Sequence, residues 1–342
     1  MSTEIKEKEK ETAPATSEDI KENNETEKKE KKEKKEKKEK KEKKEKKKEK
    51  NKKRKRRFGD RNDGRKLRTI IPMHRIMPYI MPRRSDAQNF FAETFDVTKV
   101  DAFCRQKVKE GYSNFGFLHV LLAAYVRMTA QYPAVNRFVS GQKIYSRNCF
   151  EVVMVVKKTM SNDSPDTCIK VELEPTDTVD DVYRKFNDVV QSVVGKEENS
   201  SFDKLAKLIN HIPGLLLRWT VKFLNFLDYF GWLPRSLTKL SPFHGSLIVT
   251  SMGSLGIQPV YHHIYDFGNL PVFIAYGKKR TVSTTDSEGN TKKNRVIDIK
   301  VVTDERICDG FYFASAFKAL KRYVENPERL TVPPTEVLED ID

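Results

Sequence analysis

The sequence predicts an α/β layered domain preceded by a charged tail that cannot build a core. Two observations lead to this prediction. Strand-like runs such as Val296–Val302 alternate with helix-like runs such as Val179–Val194, in which apolar residues recur at helical spacing. The first 57 residues, in contrast, hold 26 Lys and Arg and 16 Asp and Glu, with almost no aliphatic or aromatic side chains. The remaining 285 residues (342 less 57) suffice for one large domain.

Residues 1–57 form the predicted charged tail. A segment with so little apolar surface cannot offset its chain entropy, so we expect it to be disordered or transiently helical. Residues 52–57 contain only Lys and Arg. Such a block binds polyanions such as nucleic acid or an anionic membrane surface, because this binding needs only clustered charge. A tail that merely keeps the protein in solution has the same composition, and both hypotheses stay open.

The domain begins after a short turn-rich segment. Residues 58–66 are predicted to be a linker, and the globular part is expected to start near Leu67 and to end near residue 330. A short acidic C-terminal tail, 331–342, is expected to follow. The predicted elements of the first half are a strand from Phe90 that ends in Asp96-Val97-Thr98, a helix from Phe117 that ends at Tyr132–Asn136, strands at Phe150–Val156 and Cys168–Leu173, and the helix Val179–Val194.

Residues 202–240 form an apolar segment that interrupts this pattern. Pro213 and Pro234 are expected to divide it into two helices. Arg218, Lys222 and Asp228 make it too charged to cross a membrane. It is also too apolar for an isolated surface helix, so it is expected to cover the core, to pack on a neighbouring subunit, or to lie in a membrane interface.

The second half of the domain contains the segments that carry chemistry. Ser246–Gly256 predicts a strand that ends in a glycine turn, and Thr281–Lys293 predicts a polar hairpin turn between two strands. The strand Val296–Val302 is followed by Asp304–Gly310 and then by a helix-like run from Phe311 to Tyr323. Four scattered cysteines show neither metal spacing nor a disulfide framework, which favours a reducing, cytoplasmic setting without a metal.

The segment Asp304–Gly310 resembles the His-x-x-x-Asp-Gly signature of the superfamily of chloramphenicol acetyltransferase and the 2-oxoacid dehydrogenase (dihydrolipoyl) acyltransferases. The strand, helix and glycine-turn segments described above are similar to that family's and follow in its order from about residue 67 to 330. The resemblance implies a chloramphenicol-acetyltransferase-like two-layer sandwich with a mixed sheet, in which 202–240 is an insertion.

The resemblance also implies roles for individual residues. Glu305 stands where the family has the histidine that removes a proton from a thiol or hydroxyl. Thr250 matches the family's oxyanion-stabilising hydroxyl, and Ser251 lies beside it. Asp309 is implied to form a structural ion pair with an arginine, for which Arg75 is the candidate. Gly310 is implied to set the turn into the following helix.

The replacement of the histidine leaves three hypotheses for the base. An ordinary carboxylate has a pKa of about 4.3 against about 6.5 for imidazole, which makes it the weaker base, although burial can raise a carboxylate pKa to roughly 6–7. The first hypothesis is that Glu305 is an unusual base, and the second is that the activity is lost. The third hypothesis is a relocated histidine, for which His244, His262 and His263 flank the hydroxyl-bearing strand. Cys308 is interpreted as a packing residue rather than a nucleophile.

The resemblance implies a homotrimer, or a multiple of three, with each site shared between two subunits. It implies coenzyme A or acyl-CoA as a substrate. The sequence contains no recognisable lipoyl domain or subunit-binding domain, which sets it apart from the acyltransferases of dehydrogenase complexes. Three functions therefore stay open: an acyltransferase, a catalytically silent CoA-binding or oligomeric scaffold, and a polyanion binder that acts through its tail.

Overall fold

A six-stranded mixed β-sheet is the centre of the computed structural model, which describes residues 56–157, 166–193, 211–285 and 287–342. Residues 58–342 form one unit. The predicted tail, 1–57, lies outside the described residues except for Arg56 and Arg57. The strands are β1 (Gly64–Lys66), β2 (Gln88–Asp96), β3 (Arg137–Ser140), β4 (Lys143–Arg147), β5 (Phe150–Lys157), β6 (Asp166–Leu173), β7 (Leu247–Ser251), β8 (Val272–Thr285) and β9 (Thr291–Asp304).

The order of strands in the main sheet is β2-β9-β8-β7-β5-β6. The central strands β5, β7 and β8 pair in parallel, whereas β2–β9, β8–β9 and β5–β6 are antiparallel. β8 and β9 form the predicted hairpin, with the turn between Thr285 and Thr291. The sheet is mixed because its strands pair antiparallel at both edges and parallel in the centre.

Seven helices are described, and four of them cover one face of the sheet. The helices are α1 (Pro72–Ile80), α2 (Thr98–Lys109), α3 (Phe117–Gln131), α4 (Val179–Val193), α5 (Gly214–Phe230), α6 (Arg235–Leu240) and α7 (Gly310–Glu325). α3 is the central one, and it packs against α2, α4 and α7. Since it is apolar on all sides, it is almost fully buried, as its sequence requires. The result is the predicted two-layer α/β sandwich.

The opposite face of the sheet is covered by an irregular segment instead of helices. Ile264 and Leu270 pack there on residues from four strands, among them Ile248 and Val302. Each strand therefore contributes alternate residues to a helix-covered side and to this loop-covered side. This alternation decides which side chains the two faces present near the candidate site.

The predicted linker differs from the structure. Residues 64–66 form β1, which pairs with β4 in a second, three-stranded sheet of order β1-β4-β3. Arg61 and Asp63 are buried and ion-paired, with 2.9 Å between Nε and Oδ1. The turn-rich composition could not indicate these contacts, because the partners of Arg61 lie about 80 to 170 positions away in sequence.

The predicted acidic C-terminal tail also differs from the structure, because its end is attached to the domain. Asp340 forms an ion pair with the buried Arg137, and its backbone carbonyl accepts a hydrogen bond of 2.9 Å from Arg65. The backbone carbonyl of Asp342 accepts from the amides of Arg68 and Thr69. These acidic residues therefore act as partners for arginines of the folded unit.

The apolar insertion forms two helices within the described residues, as predicted. Pro213 precedes α5 and Pro234 precedes α6, so each proline stands where the absent N–H costs no hydrogen bond. Residues 202–210 of the insertion lie outside the described residues. Among the helices that the structure describes, none is long and apolar enough to cross a membrane.

Candidate active site

Glu305 lies on the connection between β9 and α7. Its backbone N–H donates to the carbonyl of Ala87 at 2.9 Å, and the N–H of Asp304 donates to the carbonyl of Pro271 at 2.8 Å. The backbone at this position is therefore held from two sides. The residue itself is exposed, so nothing within the single chain removes its carboxylate from water.

A buried group of charged side chains lies next to this connection and supports it. Asp304 is fully buried and receives two hydrogen bonds from Arg306, at 2.8 Å (Nε to Oδ1) and 2.7 Å (Nη2 to Oδ2). Arg84 completes the group, with its Nε 3.4 Å from the same carboxylate. Burial lowers the pKa of Arg84, which the Asp304 carboxylate opposes. One carboxylate thus lies between two buried guanidinium groups, immediately before Glu305.

The structure places Asp309 and Arg75 in different roles from those that the resemblance implied. Asp309 caps α7, because its Oδ1 accepts a hydrogen bond of 2.8 Å from the backbone N–H of Tyr312. Arg75 is exposed and donates to the carbonyl of Arg68 at 2.9 Å. Gly310 is the first residue of α7 and not part of a turn before it. The arginines at the Glu305 connection are instead Arg84 and Arg306, because α1 carries Arg75 to a groove beside the small sheet.

Thr250 and Ser251 end β7, and both are half-buried. Since neighbouring residues of a strand point to opposite faces, the two hydroxyl groups cannot serve the same site. Ser251 pairs in register with Tyr276 of β8, and the two side chains share a hydrogen bond. Thr250 lies on the loop-covered face, the one to which Ile248 contributes.

Two glycines allow the turn after β7 to lie directly on β8. A Cβ atom at Gly253 would be 2.7 Å from the carbonyl oxygen of Gly277, and one at Gly277 would be 2.4 Å from the ring of Pro259. Contacts this short do not occur between ordinary residues, so both positions require glycine. The close approach fixes the end of β7 and therefore the position of Thr250.

Thr250 and Glu305 lie far apart within one chain. The register aligns Thr250 with Ala275 of β8, and Ala275 with Lys300 of β9. Glu305 lies five residues beyond Lys300 and two strands away from β7, which corresponds to a separation of roughly 19 Å in an ordinary sheet. One chain alone does not bring the two predicted catalytic positions together.

A cavity of about 320 Å³, which the sequence did not predict, lies beside the Glu305 connection. Its apolar wall includes Phe91 of β2 and Phe313 and Phe317 of α7, whereas Lys318 and Lys321 are its cationic residues. Thr303 also lines it, and the buried Oγ1 of this residue has no hydrogen-bond partner. Burial of an unpaired hydroxyl is unfavourable.

The remaining candidates from the sequence are His244, His262 and Cys308, and the surroundings of each indicate a structural role. His244 is buried between Ser241, at 2.8 Å from Nδ1 to Oγ, and Asp228, at 3.6 Å from Nε2 to Oδ1, and burial lowers its pKa. His262 stacks on Phe273 with ring centroids 4.5 Å apart. Burial raises the pKa of the Cys308 thiol well above its usual range, so this thiol stays protonated and unreactive at neutral pH.

Comparison with solved structures finds two kinds of acyltransferase. The fold is similar to that of dihydrolipoamide acetyltransferase catalytic domains. A probable dihydrolipoamide acetyltransferase from Listeria monocytogenes matches with a TM-score of 0.48 and 14% identity, over 76% of this chain and 95% of that one. The cubic core of the pyruvate dehydrogenase multienzyme complex matches with a TM-score of 0.44 and 14% identity, over 77% and 93%. A chloramphenicol acetyltransferase matches with a TM-score of 0.42 and 9% identity, over 72% and 92%.

No family model and no curated protein matches the sequence. The chemistry of this chain therefore has to follow from its own residues. Among the residues that the structure describes, no three His, Cys, Asp or Glu side chains are grouped so that they could hold a metal ion. The groups available at the candidate site are thus the carboxylate of Glu305, the hydroxyls of Thr250 and Thr303, and the two lysines at the cavity.

Proposed function

We propose that this protein is a CoA-dependent acyltransferase of the 2-oxoacid dehydrogenase acyltransferase type, whose transfer step is impaired because Glu305 replaces the catalytic histidine. The observation that carries the proposal is the contrast at the β9–α7 connection. The backbone of this connection is held in place by Asp304, which lies between Arg84 and Arg306, and by Asp309, which caps α7. The residue at the position of the base, however, is an exposed carboxylate.

The cavity beside Glu305 supports an acyl-CoA ligand. Its aromatic wall suits an apolar chain, and Lys318 and Lys321 suit the phosphates of CoA. Lys321 also lies 3.6 Å from Glu93, which leaves Lys318 as the cation whose ammonium group is better able to meet a phosphate. Thr250 is proposed as the oxyanion donor at a site shared between subunits, with Ser251 as the less favoured hydroxyl because it bonds to Tyr276.

Two other functions compete with this proposal. A catalytically silent protein that binds CoA or forms an oligomeric scaffold would share the ligand and the assembly but show no turnover even when a histidine is restored. A polyanion binder that acts through residues 52–57 would show neither CoA binding nor turnover. The cytoplasmic location and the polyanion binding both stay predictions.

Binding of CoA is expected to stabilise the domain. At a CoA concentration of about 100 times the dissociation constant, the free energy of unfolding should rise by about 2.7 kcal/mol, which a melting experiment detects as a higher Tm. Lys318→Glu is expected to reduce this shift, because it reverses a charge at the cavity. Lys292→Glu, at an exposed lysine of the β8–β9 hairpin, is the matched control and should leave the shift unchanged. Equal Tm values with and without CoA and acetyl-CoA would remove the proposal.

The protein is expected to be a trimer or a multiple of three. Thr250 and Glu305 are too far apart to meet within one chain, so a shared site requires a second copy that supplies the missing group. Sedimentation equilibrium of the full chain should give a mass that is a multiple of three times 39.7 kDa. A stable monomer at micromolar concentration would contradict the shared site while leaving CoA binding open.

A further inference from the structure

The helix α5 presents an apolar face that nothing in the described part of the chain covers. Its residues recur at spacings of four and three, so they form one stripe along the helix. The exposed fractions are 78% for Leu215, 68% for Trp219, 59% for Phe223, 50% for Phe226 and 51% for Phe230. We call these five residues the outer face of α5. Large apolar residues that are contiguous and exposed mark an interaction site.

The opposite side of α5 fixes the direction of this face. Asp228 is buried, and its carboxylate lies 2.6 Å from Nη2 of Arg61. Ser140 donates a hydrogen bond of 3.0 Å to the carbonyl of Asp228, and Arg61 donates to the same carbonyl. Since a helix held on one side cannot turn about its axis, the outer face has to point away from the domain. Burial of these aromatic side chains by rotation of α5 is therefore excluded.

A second apolar helix lies close to α5. Met73, Ile76 and Ile80 of α1 are exposed at helical spacing, and we call them the outer face of α1. The two helices flank the turn between β3 and β4, where the hydroxyl of Tyr229 donates to Oε1 of Gln142 at 3.0 Å. A single groove is lined by Pro82 and Arg83, which follow α1, and by Asn225 and Tyr229 of α5. The chain that follows α1 and the helix α5 therefore border one groove.

Apart from the buried Asp228, the charged residues of α1 and α5 are basic, whereas the groove beside them also holds the exposed carboxylate of Asp266. Asp228 is the only acidic residue between positions 211 and 240, and it is buried; positions 65 to 85 contain no acidic residue. Arg218 and Lys222 lie along one edge of the outer face of α5. Lys222 Nζ lies 5.2 Å from the ring of Trp219. An apolar stripe with a basic edge is complementary to a surface that is apolar inside and anionic outside.

The aromatic composition agrees with a lipid interface. The chain has two tryptophans, Trp219 and Trp232, and both are exposed at α5 and its C-terminal end. Tryptophan and tyrosine favour the boundary between lipid headgroups and acyl chains, because one end of each ring is apolar and the other is polar. A two-fold contact with a second copy of this chain would place Arg218 and Lys222 beside their own copies, which is unfavourable.

We propose that the outer faces of α5 and α1 dock on a lipid bilayer that carries anionic headgroups. The 17-residue helix α5 would lie in the plane of the bilayer, roughly 25 Å long, with its aromatic stripe inserted at the level of the headgroups. The basic block 52–57 precedes the domain directly in sequence and supplies a second attraction of the same sign. The combination matches the two signals that stable attachment to a membrane surface requires.

Tryptophan fluorescence of the full chain tests this proposal, because Trp219 lies on the outer face of α5 and Trp232 stacks on Phe230 of the same face. We expect a blue shift of the emission, together with sedimentation of the protein, with vesicles of phosphatidylcholine and phosphatidylserine. Vesicles of phosphatidylcholine alone should bind more weakly, and added salt should weaken binding to the anionic ones. Phe223→Glu should weaken binding roughly tenfold or more, because a buried phenyl ring is replaced by a charge that the headgroups repel.

Phe311→Glu is the matched control, since Phe311 is also an exposed phenylalanine, at the start of α7, with an exposed fraction of 84% against 59% for Phe223. It should bind vesicles like the unchanged protein. Three results would overturn the proposal. One is vesicle binding by Phe223→Glu that equals that of the unchanged protein without a blue shift, which assigns the binding to the tail. Another is equal binding to neutral and anionic vesicles. The third is a blue shift that depends on protein concentration alone, which assigns the surface to a second copy.

Discussion

Replacement of Glu305 by histidine is expected to raise acyl transfer by roughly 10²–10⁴-fold, the usual contribution of a well-placed general base. An imidazole with a pKa near 6.5 accepts the proton of a thiol, whose pKa is near 8.5, far more readily than an ordinary carboxylate does. Position 305 is exposed and its backbone is held by Ala87, so a histidine fits there without repacking. The measurement is acetyl-CoA turnover at neutral pH against thiol, amine and hydroxyl acceptors.

Glu305→Gln is the control that separates the hypotheses for the base. If Glu305 has lost the function of the base, the glutamine variant should be as slow as the unchanged protein. If the carboxylate is an active base, the unchanged protein should turn over with a rate that rises with pH, and Glu305→Gln should abolish it. A histidine variant that binds CoA but gains no activity would favour the silent scaffold.

Replacement of Asp304 by alanine is expected to lower the free energy of unfolding by about 3–5 kcal/mol, because it leaves two buried arginines without their carboxylate. Arg84 and Arg306 are both almost fully buried, so each keeps little contact with water. Urea unfolding followed by circular dichroism measures the change. The same variant should also lose acyl transfer in the Glu305→His background, since position 305 follows directly.

Asp298→Ala is the matched control for this experiment. Asp298 is a carboxylate of the same strand and forms an ion pair with Arg280, but both side chains are partly exposed. The loss of such a surface pair should cost less than about 1 kcal/mol. Equal losses for the two variants would contradict a special role of the buried group at the candidate site.

The local features of the fold could be predicted because local composition determines them. Pro213 directly precedes α5, Pro234 separates α5 from α6, and the polar residues near Gly289 mark the turn between β8 and β9. The small sheet was not predicted, because β1 consists of three residues whose pairing with β4 depends on contacts about 80 positions away. Short strands of this kind have no signal of their own in the sequence.

The partners of charged residues were the part of the site that the sequence could not assign. Several arginines precede β2, and composition does not distinguish Arg75, which is exposed on α1, from Arg84, which is buried beside Asp304. The cavity was missed for a related reason. Phe91 and Phe317 have the spacing of ordinary core residues, and their rings pack on each other with centroids 4.7 Å apart. The cavity beside them arises only from the packing of α7 on the edge of the sheet.

The attachment of residues 340–342 determines when this domain can finish folding during synthesis. The hydrogen bonds from Arg65 to this segment join positions 275 and 276 apart in sequence, and Arg137 also depends on Asp340 for its partner. A ribosome releases residue 340 only after every helix and strand that it supports has been made. Arg137 therefore lacks its carboxylate partner until residue 340 has been made, and the contacts of Arg65 and Arg137 with this segment form late in folding.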